Sequence, residues 1–193
     1  MPVSTISGRR YCPVSGVKFD PDKHHRHSIR LKGYDYSRAG AYFVTTCVRD
    51  GVCLFGEIVD GTMRMNDYGR IVAEAWRDLG QRFKHIELDE FVVMPNHVHG
   101  IIHVGVPFMT PSVLDVVNQG AINRAPTLGG MVRTFKAVAS RAICRNGADF
   151  QWQRNYYEHI VRNENELARV REYIVNNPAQ WALDRENPDY VGA

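Results

Sequence analysis

The stretch FVVMPNHVHGII, residues 91–102, is apolar and β-branched on both sides of a Pro95-Asn96 interruption, and it carries two histidines one residue apart. Proline and asparagine suit a turn better than a central ladder, so the stretch reads as two strands joined there, the second continuing as HVHGIIHV. Successive side chains on a strand point to opposite faces. Val98, Gly100, Ile102 and Val104 therefore share a core face, and His97, His99, Ile101 and His103 share the other. Positions i and i+2 lie roughly 6–7 Å apart with side chains parallel, so two imidazoles can converge on one cation about 2 Å from each nitrogen. Val98 anchors the strand in the core and so fixes the pair, while His103, another roughly 6–7 Å along, can at most support it.

Working outward, AYFVTTCV (41–48) reads as a strand, and CLFGEIVDGTMRMN as a hairpin turning at Asp60-Gly61. Asn66 or Asp67 caps a helix running to about Arg82, with Ile71, Val72, Ala75, Trp76 and Leu79 at helical spacing. HIELDEFVVMP is the strand before the histidine strand. Residues 105–126 are irregular, and a loop of that length in a compact domain is usually functional or mobile. Thr127 then caps LGGMVRTFKAVASRAICR, whose Leu128, Met131, Val132, Phe135 and Ile143 turn inward; Arg133, Lys136, Arg141 and Arg145 make a basic face. WQRNYYEHIVR (152–162) is a strand or extended segment, and Asn163 or Asn165 caps a last helix, ENELARVREYIVNN, which Pro178 stops. The order predicts an α+β fold of the ferredoxin-like or RNA-recognition-motif kind: an antiparallel sheet with helices on one face and an added carboxyl-terminal helix.

The hydrophobic share of 44% and charged share of 23% are ordinary for a globular chain, and 193 residues suit one domain. The expected division is a basic flexible arm over 1–32, a domain over 33–180 and a tail over 181–193. The net charge of +3 is uneven: residues 1–33 hold seven basic side chains against two acidic ones. Such an arm is either a phosphate contact or a solvated leader. HHRH (24–27) lacks partners at fixed spacing and reads as a flexible polar segment. The four cysteines form no Cys-x-x-Cys pair and are expected to be reduced packing residues. No apolar run approaches the roughly 20 residues of a membrane helix, and a cytoplasmic location is expected.

On the last helix Leu167, Val170 and Ile174 form an apolar stripe, and Tyr173 and Asn177 lie one turn apart on its flank. Taken alone, they read as a boundary aromatic and a helix-terminal residue before Pro178. Facing one site with the histidines, Asn177 can give a carbonyl oxygen to a cation and Tyr173 a phenol beside it. With a pKa of about 10 a phenol is a weak nucleophile, but a phosphodiester bound to a divalent cation is a better electrophile, and the cation orients it for in-line attack. A phosphotyrosine product keeps the bond energy, which favours cleavage and rejoining over hydrolysis.

These residues resemble the HUH single-strand nucleases, named for histidine, hydrophobic residue, histidine, which His97-Val98-His99 matches. More closely, the chain resembles the single-tyrosine transposases, in particular those associated with repetitive extragenic palindromes (REP). The resemblance covers about residues 29–188. It runs through IRLKGYDYSRAGAYFVTTC, FVVMPNHVHGII, GAINRAPTLGGMVRTFKA and NYYEHIVRNENELARVREYIVNNP. It implies a ferredoxin-like sheet with the histidines on a central strand, a divalent metal (magnesium or manganese), and a nucleophilic tyrosine on a late helix. That tyrosine would form a 5′-phosphotyrosyl link to single-stranded DNA near a hairpin, a REP-like element or an insertion-sequence end. By resemblance His97 and His99 match the HUH ligands, Tyr173 the nucleophile, and Asn177 the third ligand, where other members carry the longer glutamine. Tyr156 and Tyr157 are rival nucleophiles, and Glu158 and His159 are candidates for proton transfer. DNA is expected on Arg133, Lys136 and Arg141, on the arm with Arg30 and Lys32, and on aromatic side chains that stack with unpaired bases. Two alternatives remain open: a rolling-circle or relaxase-like nickase, although no helicase-type phosphate loop is present, and a non-cleaving nucleic-acid-binding module. Monomer and homodimer are both compatible, since family members include dimers that exchange the tyrosine helix.

Overall fold

Each described α-helix starts where a side-chain oxygen meets a free backbone N–H. Asn66 accepts from Gly69 N at 3.0 Å, Thr127 from Gly130 N at 3.3 Å and Asn163 from Glu166 N at 2.9 Å. The computed structural model describes residues 38–105 and 127–190. The arm with Arg30 and Lys32 and nearly all of the irregular 105–126 stretch lie outside the described residues. The elements are β1 (Gly40–Cys47), β2 (Gly56–Val59), β3 (Thr62–Met65), α1 (Asp67–Arg82), β4 (Ile86–Val93), β5 (His97–Val104), α2 (Leu128–Arg145), β6 (Tyr157–Val161) and α3 (Glu164–Asn176), followed by a 3-10 helix, Pro178–Leu183. Asp60 and Gly61, with φ of 50° and 71°, turn the β2–β3 hairpin as the Asp-Gly dipeptide predicts.

The four-stranded sheet has the order β4-β5-β1-β6, and every neighbouring pair is antiparallel. β1 therefore reaches its parallel mate β4 through α1 with β5 inserted between them, and β5 reaches β6 through α2 with β1 inserted. Two interleaved crossovers put both helices on one side of the sheet. Tyr42, Val44, Val98, Ile102 and Val104 pack there against the inward residues of α1 and α2. The other face is left for α3, where Phe43, Ile101, Val161, Leu167 and Ile174 form a second, smaller cluster. This is the predicted α+β architecture, added helix included. Among the described residues no helix is long and apolar enough to cross a membrane.

The histidine strand is fixed from behind. A Cβ at Gly100 would lie 2.3 Å from the Trp76 ring, so only glycine lets that indole press on β5. The turn before β5 is closed by Met94 N donating to His97 O at 2.8 Å, and Val48 N and Phe55 N bond to Asn96 O and Pro95 O.

Candidate metal centre

β5 turns Val98 into the core and presents His97 and His99 to the α3 side, where they are 0% and 4% exposed. Their Nε2 atoms are 3.0 Å apart. Each ring is held by its other nitrogen. His99 Nδ1 lies 2.8 Å from the hydroxyl of Thr45, its register partner on β1. His97 Nδ1 lies 2.8 Å from Asn96 Oδ1, while Asn96 Nδ2 donates to the carbonyls of Gly51 and Glu186 at 3.0 and 2.6 Å. Those two donations fix which end of the carboxamide faces the ring: Oδ1 can only accept, so the His97 proton sits on Nδ1 and the Nε2 lone pair points at His99. Burial lowers the His97 pKa from 6.5 to about 4, against a smaller opposing pull from Asp184, and burial followed by the neighbouring His97 holds His99 well below 6.5. Both rings are neutral at neutral pH, the state in which imidazole ligates.

α3 brings Tyr173 across the same space, its hydroxyl 3.3 Å from His99 Nε2. Phe43 orients both rings, stacked on His99 at 5.4 Å and edge-on to Tyr173 at 6.0 Å. Burial and then Asp184 raise the phenol's pKa, opposed by a hydrogen bond from the Asn177 side chain. The phenol therefore rests protonated. Asn177, one turn on and 3% exposed, has an Oδ1 without a hydrogen-bond partner among the described residues.

Asp184 completes the group, and no sequence motif marked it. It follows the 3-10 helix, beyond residue 180 in the stretch expected as a tail, and its Oδ2 is 3.7 Å from His97 Nε2. That oxygen too is buried and without a hydrogen-bond partner among the described residues. His97, His99 and Asp184 form a cluster whose ligand atoms all lie within 4.8 Å of one another. Two neutral imidazoles beside a carboxylate fit a cation, and the buried Asp184 Oδ2 and Asn177 Oδ1, both on the same cavity wall, lack a hydrogen-bond partner among the described residues, a cost in free energy that an ion would offset. The available clue was Trp181 just before Asp184: the Trp181 ring packs 6.0 Å from His97, whereas Leu183 is exposed.

A cavity of about 590 Å³ opens onto the group, lined among others by Phe43, Tyr157, Tyr173, Asn177 and Arg185. The other expected residues are distributed differently. His103 bonds Asp89 at 2.8 Å, and His159 bonds Glu166 at 2.7 Å, near the start of α3. Tyr156 packs against the helix-side core, while Tyr157, also on the cavity wall, is 54% exposed. Arg133 and Arg141 are exposed on α2, across the sheet from the histidines. Lys136 turns inward: its ammonium donates to Gln153 O and Asn155 O at 2.8 and 2.7 Å, and burial lowers its pKa to about 8.

No family model matches the chain. An uncharacterized protein of Haemophilus influenzae is 40% identical over 174 residues, spanning 88% of this chain and 97% of that protein. The solved structure of a REP-associated tyrosine transposase bound to a REP hairpin has a similar fold. The TM-score is 0.54 and the identity 18%, over 83% of this chain and 77% of the other.

Proposed function

This chain belongs to the same family as the Haemophilus influenzae protein and has the fold of a tyrosine transposase, and on that footing we propose that it is a metal-dependent enzyme that nicks and rejoins single-stranded DNA through Tyr173. The observation that carries the proposal is the phenol 3.3 Å from His99 Nε2, in a buried group where the two imidazoles meet the Asp184 carboxylate and where Asp184 Oδ2 and Asn177 Oδ1 have no hydrogen-bond partner among the described residues. A phenol that merely packs has no need of such a neighbour.

His97, His99 and Asp184 would hold the ion, with Asn177 as a further oxygen ligand. The resemblance to the single-tyrosine transposases points to magnesium or manganese as that ion. When bound, such an ion polarises a phosphodiester oxygen and orients the phosphorus for in-line displacement.

The chain's own residues do the rest. Phe43 and the Asn177 side chain aim the Tyr173 oxygen. That oxygen forms a bond to phosphorus while the bond from phosphorus to the 3′ oxygen breaks, and the phenolic proton ends, net, on the departing 3′ hydroxyl. The number of phosphoester bonds is conserved, so a later 3′ hydroxyl reverses the step without a nucleotide cofactor. The substrate is a single strand next to a hairpin; the similar transposase was solved bound to a REP hairpin. Arg133 and Arg141, a layer away from the chemistry, suit the hairpin stem, together with Arg30 and Lys32 of the arm. The catalytic unit extends past residue 180 to include Asp184.

The test mixes the protein with a labelled hairpin oligonucleotide and magnesium or manganese and looks for a covalent adduct on a denaturing gel. Wild type gives one and Tyr173→Phe does not. An adduct that survives Tyr173→Phe and vanishes on changing Tyr156 or Tyr157 would move the nucleophile, and tight DNA binding with no adduct on any substrate would favour a binding module.

A further inference from the structure

The site cavity does not end at Tyr173. It shares Gln153, Arg185 and Glu186 with a second cavity of about 530 Å³ that runs to the Arg49–Gly51 turn and includes Arg154. One groove thus leads from the phenol to three guanidinium groups. Arg49 is tied to Asp50 and Gln151. Arg154 and Arg185 are exposed and make no ion pair among the described residues. Of the acidic residues of the second cavity, Asp50 is paired with Arg49, and Glu186, whose side chain hydrogen-bonds Cys47, is one carboxylate against Arg154 and Arg185, so the wall stays net positive. At the opposite end, on edge strand β6, stands Tyr157. Its ring meets Phe43 edge-on at 6.3 Å, the same Phe43 that orients Tyr173, and 54% of the residue is open.

Resting on the strand-transfer reading above, we propose that this groove is the track of the unpaired strand that flanks the reacting phosphate. Tyr157 stacks on a nucleobase, and Arg154 and Arg185 bind consecutive backbone phosphates beyond it. The chemistry selects an unpaired strand: an exposed phenol ring needs a free base face, which a duplex does not offer, and two unpaired guanidiniums beside it take phosphates. The occupied ammonium of Lys136 acts here through the backbone, holding the 153–155 segment that carries Gln153 and Arg154 along the groove wall.

Binding is measured on the full chain in chelator, with Tyr173→Phe as the background so that no strand is cut. The probe is a fluorescent oligonucleotide without a hairpin, titrated over a range of salt. Tyr157→Ala lowers affinity roughly 5- to 150-fold, the range expected for one stacked base, and Tyr157→Phe restores it. The pair Arg154→Gln and Arg185→Gln reduces the salt slope by about 1.4, two phosphates' worth for a single strand. Arg133→Gln with Arg141→Gln leaves this probe unchanged and weakens only a hairpin-bearing one. Affinity and slope indifferent to Tyr157, Arg154 and Arg185 would overturn the track, as would an equal loss from the α2 arginines on the unpaired probe. Because no adduct is read, the two readings fail separately: the predicted losses with no adduct from wild type on any substrate would leave the groove standing without the enzyme.

Discussion

Asn96 carries out two tasks that one carboxamide can combine in one orientation only. Its amide nitrogen ties the Gly51 turn to the Glu186 backbone, and its oxygen holds the proton of His97 on the nitrogen away from the metal centre. The same side chain thereby sets the tautomer of one candidate ligand and docks the segment that carries another, Asp184. Outer-shell partners of this kind are typically worth roughly 10- to 100-fold in metal affinity. Asn96→Ala should therefore weaken manganese binding by about that factor, read as a smaller rise in melting temperature when manganese is added to the chelator-treated protein. Asn96→Asp should not rescue it, since a carboxylate keeps the acceptor but loses both donors. An unchanged manganese response in Asn96→Ala would assign the residue to the turn alone.

At the scale of elements, the question is what holds α3 against the sheet. α1 and α2 share a large core, whereas α3 buries only Leu167 and Ile174 among its residues. A polar clamp supplements this. The β4 strand is irregular between Leu88 and Phe91, and there Asp89 accepts from Arg171 of α3, through Nε and Nη2, and pairs with His103 of β5. Burial alone would raise the Asp89 pKa, but the hydrogen bonds from Arg171 and His103 outweigh it and lower it from 3.8 to about 2. The unfolded chain thus binds the proton more readily, so the clamp's stabilisation is fully present above about pH 4 and is lost as pH falls through 2. Asp89→Ala is expected to lower the melting temperature by a few degrees at neutral pH, with the gap to wild type closing toward pH 2. Amide exchange should quicken over α3 and not over α1. Faster exchange in both helices would show a global rather than a local effect.

At the scale of the whole molecule, α3 follows β6 with only Arg162 and Asn163 between them and folds back over its own sheet, so Tyr173 reaches His99 within one chain. The segment past Pro178 then crosses the site, with Trp181 on His97 and Asp184 among the donors. A helix held at both ends in this way has little freedom to dock on another subunit. Mixing His97→Ala protein, which keeps its tyrosine, with Tyr173→Phe protein, which keeps its donors, should then yield no DNA adduct. Recovery of adduct in the mixture would mean that helices are exchanged and the working site is shared between two copies.

What the sequence determined by itself is whatever repeats over a few residues. Alternation put His97 and His99 on one face and Val98 and Ile102 on the other; caps and apolar spacing located α1, α2 and α3; Asp60-Gly61 located the hairpin. These are local preferences of the chain, and the order of strands and helices that they define was enough to predict the α+β sheet with an added helix. Tertiary structure decided everything that depends on distance through space. It assigned the two faces of the sheet, putting the basic face of α2 on the side away from the histidines, and it turned Lys136 onto backbone carbonyls. It also brought Asp184 from beyond the expected end of the domain to within 3.7 Å of His97. A lone carboxyl group carries no periodic signal; only the burial imposed by the packed segment around it makes it a candidate ligand.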